Sequence, residues 1–387
     1  MLGRHAIAML LLHAALANAA PFVPVDDAAV LERLPIASDA SLRELKRLQG
    51  ELAEDRSNVV RAVNVAQRAI EAARAFGDPR FLGQAQAALR PWWSSGEPPA
   101  AVLVLRATVK QSLHDFDGAL ADLDRLIAAD AGNVQALLTR ATVLTVLGRY
   151  DEAKRDCERL ARRTDALVTT TCQAAAESAS GDAEGAFRRL EEALRAGAGS
   201  PQVRAWAATL AAEIAARRGD APAATRYFAQ ALAADPRDAY LKAAYADFLL
   251  EQGQVAPVVA MLKEDVRNDA LLLRLALAEA RLPEHRAAFE THRDDLIARF
   301  AAARRRGDVL HLREEARFAL EIERNAAKAL ELARDNWAKQ REPADLRILA
   351  EAARATDNAD AKRIVADWIA KTGYQDVRIG APGRPRT

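Results

Sequence analysis

Residues 205–238, with the sequence AWAATLAAEIAARRGDAPAATRYFAQALAADPRD, decide the fold of this protein. Two runs rich in Ala, Leu and Arg, which are good helix formers, flank the pair Gly219-Asp220. A glycine accepts positive φ at a helix end without steric cost, and the Asp after it can cap the next helix. Pro222 falls in the first turn of the second run, where a missing N–H costs nothing. The stretch therefore predicts two helices joined by a tight turn.

Similar turns recur along the chain at a nearly constant spacing. In each of them a Gly followed by Asp, Arg or Gln ends a predicted helix, and His114-Asp115 stands in the same role. The glycines are Gly77, Gly148, Gly181, Gly219, Gly253 and Gly307. From His114 to Gly253 the successive intervals are 34, 33, 38 and 34 residues. A helix–turn–helix unit of about 34 residues therefore repeats.

This unit resembles the tetratricopeptide repeat. Within residues 205–238 the family's small, glycine, small, large, small and proline positions are occupied by Ala212, Gly219, Ala224, Phe228, Ala231 and Pro236. Partial copies precede and follow it, so the resemblance covers roughly residues 100–270. It implies an all-α, right-handed superhelical solenoid of antiparallel helix pairs, in which each pair contacts mainly its neighbours. It also implies that the first helix of each pair lines a concave groove for an extended peptide or a partner helix.

Composition and charge exclude several classes of partner. The chain has 387 residues, 50% of them hydrophobic, and 55 basic against 54 acidic side chains. A formal charge of +1 creates no field that would attract nucleic acid or an anionic membrane.

At the N-terminus Arg4 precedes an apolar run, and Ala17-Asn18-Ala19 fits the small-x-small site of a secretory signal. We expect a cleaved signal, a periplasmic or secreted protein, and no stable membrane insertion.

The pattern divides the chain into six segments. They are a signal peptide (1–19), an N-terminal arm with a first helix (20–57), a degenerate hairpin with a Trp-containing loop (58–99), tetratricopeptide-like repeats (100–270), degenerate hairpins (271–375) and a disordered tail (376–387). The loop contains Trp92-Trp93, which cannot both point into one core. Either one of them packs between hairpins and the other covers a loop, or the pair is an exposed anchor for a partner.

No pattern of catalytic or metal-binding residues is visible. His285 and His292 lie seven residues apart on one predicted helix, a rise of about 10.5 Å that a single metal ion does not bridge. His311 has no second histidine at helical spacing, and neither a phosphate-binding loop nor a nucleophile elbow occurs. The basic run 304–306 ends a predicted helix, where Arg complements the helix dipole. We expect no enzyme, no cofactor and no metal site.

Cys157 and Cys172 are the two cysteines of the chain. They fall on consecutive helices of the repeat, which pack antiparallel. Export would make a disulfide accessible, and one closing this loop would stabilise the protein by roughly 3 kcal/mol. Two buried free thiols are the alternative.

The register set by the glycines predicts the side chains that line the groove. The inward positions are Val104, Thr108, Gln111, Gln135, Leu138, Thr142, Thr145, Val168, Thr171, Ala175, Ser178, Trp206, Thr209, Glu213, Tyr240, Ala243, Asp247 and Leu250. No Lys or Arg appears among them. Family members that hold C-terminal carboxylates place Lys, Arg and Asn at such positions, so we expect this ligand class to be excluded.

Ten of these side chains are the candidate protein-binding residues. They are Thr108, Gln111, Thr142, Thr145, Thr171, Trp206, Thr209, Glu213, Tyr240 and Asp247. The threonines can hydrogen-bond an extended backbone, and the two aromatic rings can supply anchoring contacts. The two acids favour a ligand with a basic residue at that end.

The sequence therefore predicts a non-catalytic, exported scaffold or adaptor that binds a protein or peptide in its concave groove. Two alternatives stay open. The array can self-associate through its degenerate C-terminal hairpins as a structural component of an envelope assembly, or it can be a helical enzyme with a cryptic site between the arm and the groove.

Overall fold

The computed structural model of the protein describes residues 39–197, 199–307 and 310–380. The predicted signal at 1–19, the arm at 21–38 and residues 381–387 of the predicted tail lie outside these ranges. Within them the chain forms 21 α-helices and one 3₁₀ turn, Pro283–His285, with no β-strand in the described ranges. The all-α prediction is confirmed.

The helices follow one another with short connections. In chain order they are α1 (Ala40–Glu54), α2 (Val59–Phe76), α3 (Arg80–Ala88), α4 (Arg90–Trp93), α5 (Ala100–Ser112), α6 (Phe116–Ala129), α7 (Val134–Val146), α8 (Tyr150–Leu160), α9 (Ala166–Ser178), α10 (Ala183–Arg195), α11 (Pro201–Arg218), α12 (Ala221–Ala234), α13 (Ala239–Glu251), α14 (Val255–Leu262), α15 (Asp269–Glu279), α16 (Arg286–Arg305), α17 (Leu312–Glu321), α18 (Ala326–Lys339), α19 (Pro343–Ala355), α20 (Ala359–Thr372) and α21 (Val377–Gly380).

The turns inside the helix pairs have the geometry that the sequence predicts. Gly219 ends α11 in the left-handed conformation at φ +82°, and the Asp220 carboxylate accepts a hydrogen bond from the Ala223 N–H at 3.0 Å to cap α12. His114 stands in the glycine position of the α5–α6 turn at φ +60°. A residue with a Cβ is disfavoured there by roughly 1–2 kcal/mol, which the surrounding packing must offset.

The large position of the best repeat joins one helix pair to the next. Phe228 on α12 is 1% exposed. Its ring centroid lies 5.1 Å from that of Tyr245 and 5.6 Å from that of Phe248, both on α13. Ala212 and Ala224 are fully buried, so α11 and α12 approach closely. The small and large positions therefore act as the resemblance implies.

Cys157 and Cys172 form a disulfide that links α8 to α9, with their Cα atoms 5.6 Å apart. The described residues contain no free cysteine. Of the two alternatives that the sequence left open, the disulfide is the one present.

Trp92 and Trp93 lie on the short helix α4 and pack, half-buried, against the core formed by α1–α3. Arg106 on α5 donates to both of their backbone carbonyls, at 2.9 Å and 2.7 Å, and its guanidinium pairs with Asp122 at 2.6 Å. This loop is therefore fixed to the α5–α6 hairpin by hydrogen bonds from Arg106, and a buried ion pair within the hairpin holds that guanidinium in place.

The C-terminal segment, which we define as α19–α21, returns to helices far earlier in the chain. Just before α19, the Arg341 N–H donates to the Val146 carbonyl at the end of α7, at 2.7 Å. The Trp368 and Tyr150 ring centroids lie 6.2 Å apart. A Cβ placed on Gly181, in the α9–α10 turn, would lie 3.4 Å from the Thr372 carbonyl oxygen. The segment thus crosses the C-terminal ends of α7 and α9.

The same segment continues across the ends of α11 and α13. Val377 lies against Gly219, and Arg347 and Arg378 both pair with Glu251 at the end of α13. The expectation that each hairpin contacts mainly its neighbours is therefore wrong for the C-terminal segment. The predicted boundary of the disordered tail at 376 is also too early, because Val377 lies against Gly219, Arg378 pairs with Glu251 and Ile379 packs against the core of α17–α20.

Candidate binding groove

All five predicted threonines use their hydroxyls inside their own helices. The hydroxyls of Thr108, Thr171 and Thr209 each donate to the carbonyl four residues earlier, at 2.9, 2.6 and 2.8 Å. All three side chains are buried, which removes them from the surface that a partner can contact. Thr142 is exposed and Thr145 half-buried, and both donate in the same way. Their acceptor lone pairs are the only hydrogen-bonding capacity they offer a ligand.

The other predicted groove residues differ in how much of each side chain is exposed to solvent. Tyr240, near the start of α13, is 56% exposed, and its hydroxyl donates to the Glu213 carboxylate on α11 at 2.7 Å. Trp206 is half-buried and packs against the core of α5–α9. Gln111 is half-buried as well. Burial raises the pKa of Glu213, although the hydrogen bond from Tyr240 acts in the opposite direction. Tyr240 is therefore the most accessible anchor of the set.

Asp247 is already neutralised by the chain itself. Arg274 on α15 donates to both of its carboxylate oxygens, at 3.0 and 2.9 Å, and Arg317 on α17 donates to the same carboxylate. Burial alone would raise the pKa of Asp247, but Arg274 and Arg317 hold it well below its ordinary value. The expectation that Asp247 favours a basic ligand is therefore wrong, because two arginines of the chain already form ion pairs with its carboxylate.

The groove also contains basic side chains that the glycine register did not reveal. Side chains of α11, α13, α15, α17, α19 and α21 meet around a cavity of about 120 Å³. Its charged lining consists of Arg217, Arg274, Arg313, Arg317, Arg347 and Arg378 with Glu213, Asp247, Glu251, Glu321 and Glu351. Five of these arginines lie beyond the well-matched repeats. From the glycine register we expected no Arg in the groove, and for that reason we expected carboxylate ligands to be excluded. The expectation that no Arg lines the groove is wrong for the folded chain.

The ion pairs of Asp247 make stability depend on pH. We expect Asp247→Asn to lower the free energy of unfolding by about 2 kcal/mol near neutral pH, since two arginines lose an ionic acceptor. A depressed folded pKa contributes stability above the unfolded value near 3.8, and this contribution is lost as the pH falls below it. The difference between the two proteins should therefore shrink below about pH 4. Urea unfolding of both proteins across this range measures it, and a constant difference would contradict the assignment.

The remaining sequence candidates lie apart from the groove cavity. His292 Nδ1 lies 2.8 Å from the Glu279 carboxylate, and His311 Nε2 lies 3.9 Å from that of Asp269. Among the described residues, no three His, Cys, Asp or Glu side chains lie close enough together to hold a metal ion. Along the same residues no helix combines the length and the hydropathy needed to cross a membrane.

Comparisons with known proteins rest on structure alone. No protein-family model matches the chain, and no curated protein matches it in sequence. A tetratricopeptide repeat protein from Parabacteroides merdae is 16% identical with a TM-score of 0.38, covering 76% of this chain and 99% of that one. A human IFIT1 dimer with m7Gppp-AAAA is 12% identical with a TM-score of 0.45, covering 87% of each chain. Cut9 in the APC/C complex Cut9-Hcn1 is 13% identical with a TM-score of 0.40, covering 88% and 85%.

The architecture itself carries the assignment of the fold. Consecutive helices pair with short turns from α5 to α14, and the small, glycine and large positions of the repeat occupy the contacts expected of them. The chain is an all-α, right-handed superhelical solenoid of antiparallel, tetratricopeptide-like helix pairs.

Proposed function

We propose that the protein is an exported, non-catalytic scaffold that binds a protein or peptide through the groove face of α11 and α13. The observation that carries this proposal is Tyr240, a large aromatic side chain that is 56% exposed on that face. Its hydroxyl is held by Glu213, so the ring loses little freedom when a partner covers it. Tyr and Trp dominate the binding energy of many protein interfaces.

Two further features support an exported scaffold. Residues 1–19 have the charge, the apolar run and the cleavage pattern of a secretory signal. The Cys157–Cys172 disulfide belongs to a class of bond that persists in oxidising compartments. The residues that the structure describes provide no side-chain constellation from which we derive a reaction.

Replacing the aromatic anchors should weaken partner capture without unfolding the chain. We expect Tyr240→Ala or Trp206→Ala to reduce the affinity for the captured partner about tenfold or more, since anchor residues are worth about 2 kcal/mol or more. Arg305→Ala, at the end of α16, should leave the affinity unchanged. Quantitative pull-down of the partner from native envelope extract, with helicity checked by circular dichroism, measures this. Capture that is indifferent to both aromatic changes would place the binding surface elsewhere.

A photo-cross-linking residue locates the partner directly. Introduced at position 240, p-benzoylphenylalanine should cross-link to the captured protein. Introduced at Ile297 on α16, which is 44% exposed, it serves as a matched control and should not. Equal cross-linking at both positions would contradict binding in the groove.

A further inference from the structure

A cleft opens to the surface between the C-terminal halves of α1 and α3, and residues of α2 and α4 complete it. We call it the α1–α3 cleft; its volume is about 380 Å³. The Gln49 side-chain amide on α1 donates to the Gln84 amide oxygen on α3 at 2.8 Å. Most of the other lining residues are apolar: Leu52, Ala53, Val65, Ala87, Ala88 and Pro91. The cleft can therefore take apolar side chains from another segment.

Two basic side chains also line the α1–α3 cleft. Arg56 follows the end of α1 and Arg90 begins α4, and both are exposed. Neither of them forms an ion pair with another residue that the structure describes. A segment with an acidic residue beside its apolar side chains would therefore complement this cleft.

The sequence just before the described chain has this pattern. Residues 21–38, which we call the N-terminal arm, contain three acids and one base, a net charge of −2. Asp27, Val30, Leu31 and Leu34 have the i, i+3, i+4, i+7 spacing that places side chains on one face of a helix. Such a face carries one acid followed by three apolar side chains.

The lengths along the chain fit an arm that returns antiparallel to α1. Five extended residues and three helical ones lead from Asp39, where the described chain starts, back to Leu31, a span of about 21 Å. Four further helical residues place Asp27 at about 27 Å. Counted along α1 from Asp39, Ala53 lies at about 21 Å and Arg56 at about 26 Å. The apolar and the acidic parts of the arm thus reach the apolar and the basic parts of the cleft.

From the apolar cleft, its two arginines and the matching length and charge of the arm, we propose that residues 27–34 dock in the α1–α3 cleft of the same chain. Leu31 then lies beside Ala53, and Asp27 faces Arg56. A tethered segment has an effective concentration of millimolar order, which favours it over free competitors. A terminal unit of a solenoid has a neighbouring unit on one side only, and the docked arm adds contacts to it. This inference goes beyond the proposed function, since it uses no residue of the groove and no partner.

Photo-cross-linking from the arm tests the proposal on the full chain. p-Benzoylphenylalanine in place of Leu31 keeps an apolar side chain there and should cross-link to the tryptic peptide 48–56, which contains Ala53. In place of Ala29, which falls on the opposite face of the same helical pattern, it is the matched control. There the product should be lost, because a docked helix turns position 29 away from the cleft.

Charge exchange tests the orientation of the docked arm. Asp27→Arg brings like charges together and should lower the yield of the cross-link from position 31 about threefold. Arg56→Glu in the same chain restores an opposite pair and should recover the yield. Arg74→Glu, on the last turn of α2 and also exposed, is the matched control and should not recover it.

Hydrogen–deuterium exchange needs no unnatural side chain. Leu31→Asp should release the arm and speed amide exchange in the C-terminal halves of α1 and α3, whereas Ala29→Asp, with the same change of charge, should not. A mixture of isotopically labelled and unlabelled chains distinguishes docking within a chain from exchange between copies. The proposal is overturned if positions 29 and 31 cross-link equally to peptide 48–56, if the product joins a labelled chain to an unlabelled one, or if Leu31→Asp leaves the exchange unchanged.

Discussion

Replacing Asp345 by alanine should lower the free energy of unfolding by about 4 kcal/mol, the largest effect that we expect of any single substitution discussed here. Asp345, in the first turn of α19, has no exposed surface. Its carboxylate accepts from Asn336 Nδ2 at 2.7 Å, from Gln340 Nε2 at 3.2 Å and from the Glu342 N–H at 2.8 Å. Alanine would leave the buried Asn336 amide and the Glu342 N–H without this acceptor, and each unsatisfied buried donor costs about 1–3 kcal/mol. Gln340 would keep only its bond to Asn336 Oδ1, at 3.3 Å.

The effect should extend to the packing of the C-terminal segment. Asp345 caps α19 through the Glu342 N–H, and the residue before Glu342 is Arg341, whose N–H reaches the Val146 carbonyl on α7. Loosening the α18–α19 junction therefore releases the segment from α7. We expect faster amide exchange at both contact surfaces, measured by hydrogen–deuterium exchange mass spectrometry.

Asp360→Ala is the matched control for Asp345→Ala. Asp360 lies on the next helix, its side chain is 68% exposed, and its ion pair with Arg363 is at the surface. The control should change the free energy of unfolding by less than about 0.5 kcal/mol. Urea unfolding followed by circular dichroism measures both variants. Similar losses in the two proteins would show that the buried cluster does not stabilise the fold.

The second large effect concerns the Cys157–Cys172 disulfide. Replacing both cysteines by alanine should lower the free energy of unfolding by roughly 3 kcal/mol, because the unfolded chain regains the freedom that the closed loop denies it. Alanine is the preferred replacement, since both sites are buried and a serine hydroxyl would lack a partner.

The reductant dependence of the melting temperature tests this expectation. Dithiothreitol should lower the melting temperature of the parent towards that of the double variant and leave the double variant unchanged. The variant thus controls for any effect of the reductant elsewhere. A parent that melts at the same temperature with and without its disulfide, as verified by thiol titration, would contradict the expected stabilisation.

The structure also changes how the groove is understood. From the register of the repeat, we expected Asp247 and Glu213 to favour a basic ligand. In the folded chain Arg274 and Arg317 already form ion pairs with Asp247. Tyr240 keeps its exposure, so the groove retains an aromatic contact surface beside an interior of paired charges. A partner therefore meets Tyr240 without having to compete for Asp247.

The sequence by itself determined the features that depend on neighbouring residues. The ends of α11 and α12 follow from Gly219 and Asp220, because backbone conformation and capping act within a few positions. The burial of Phe228 and the placement of Cys157 and Cys172 on contacting helices follow from a repeat of about 34 residues, within which consecutive helices must contact each other. Whether the two thiols are bonded was left open by the sequence and decided by the structure.

Only the tertiary structure decided which side chains from distant parts of the sequence meet at the groove. Glu251 meets Arg347 and Arg378 across 96 and 127 residues of sequence, and Arg341 reaches the end of α7 across 194. These contacts depend on the small rotation that each hairpin adds to the next, summed over many hairpins. A 34-residue pattern specifies the contact between neighbours but not that sum.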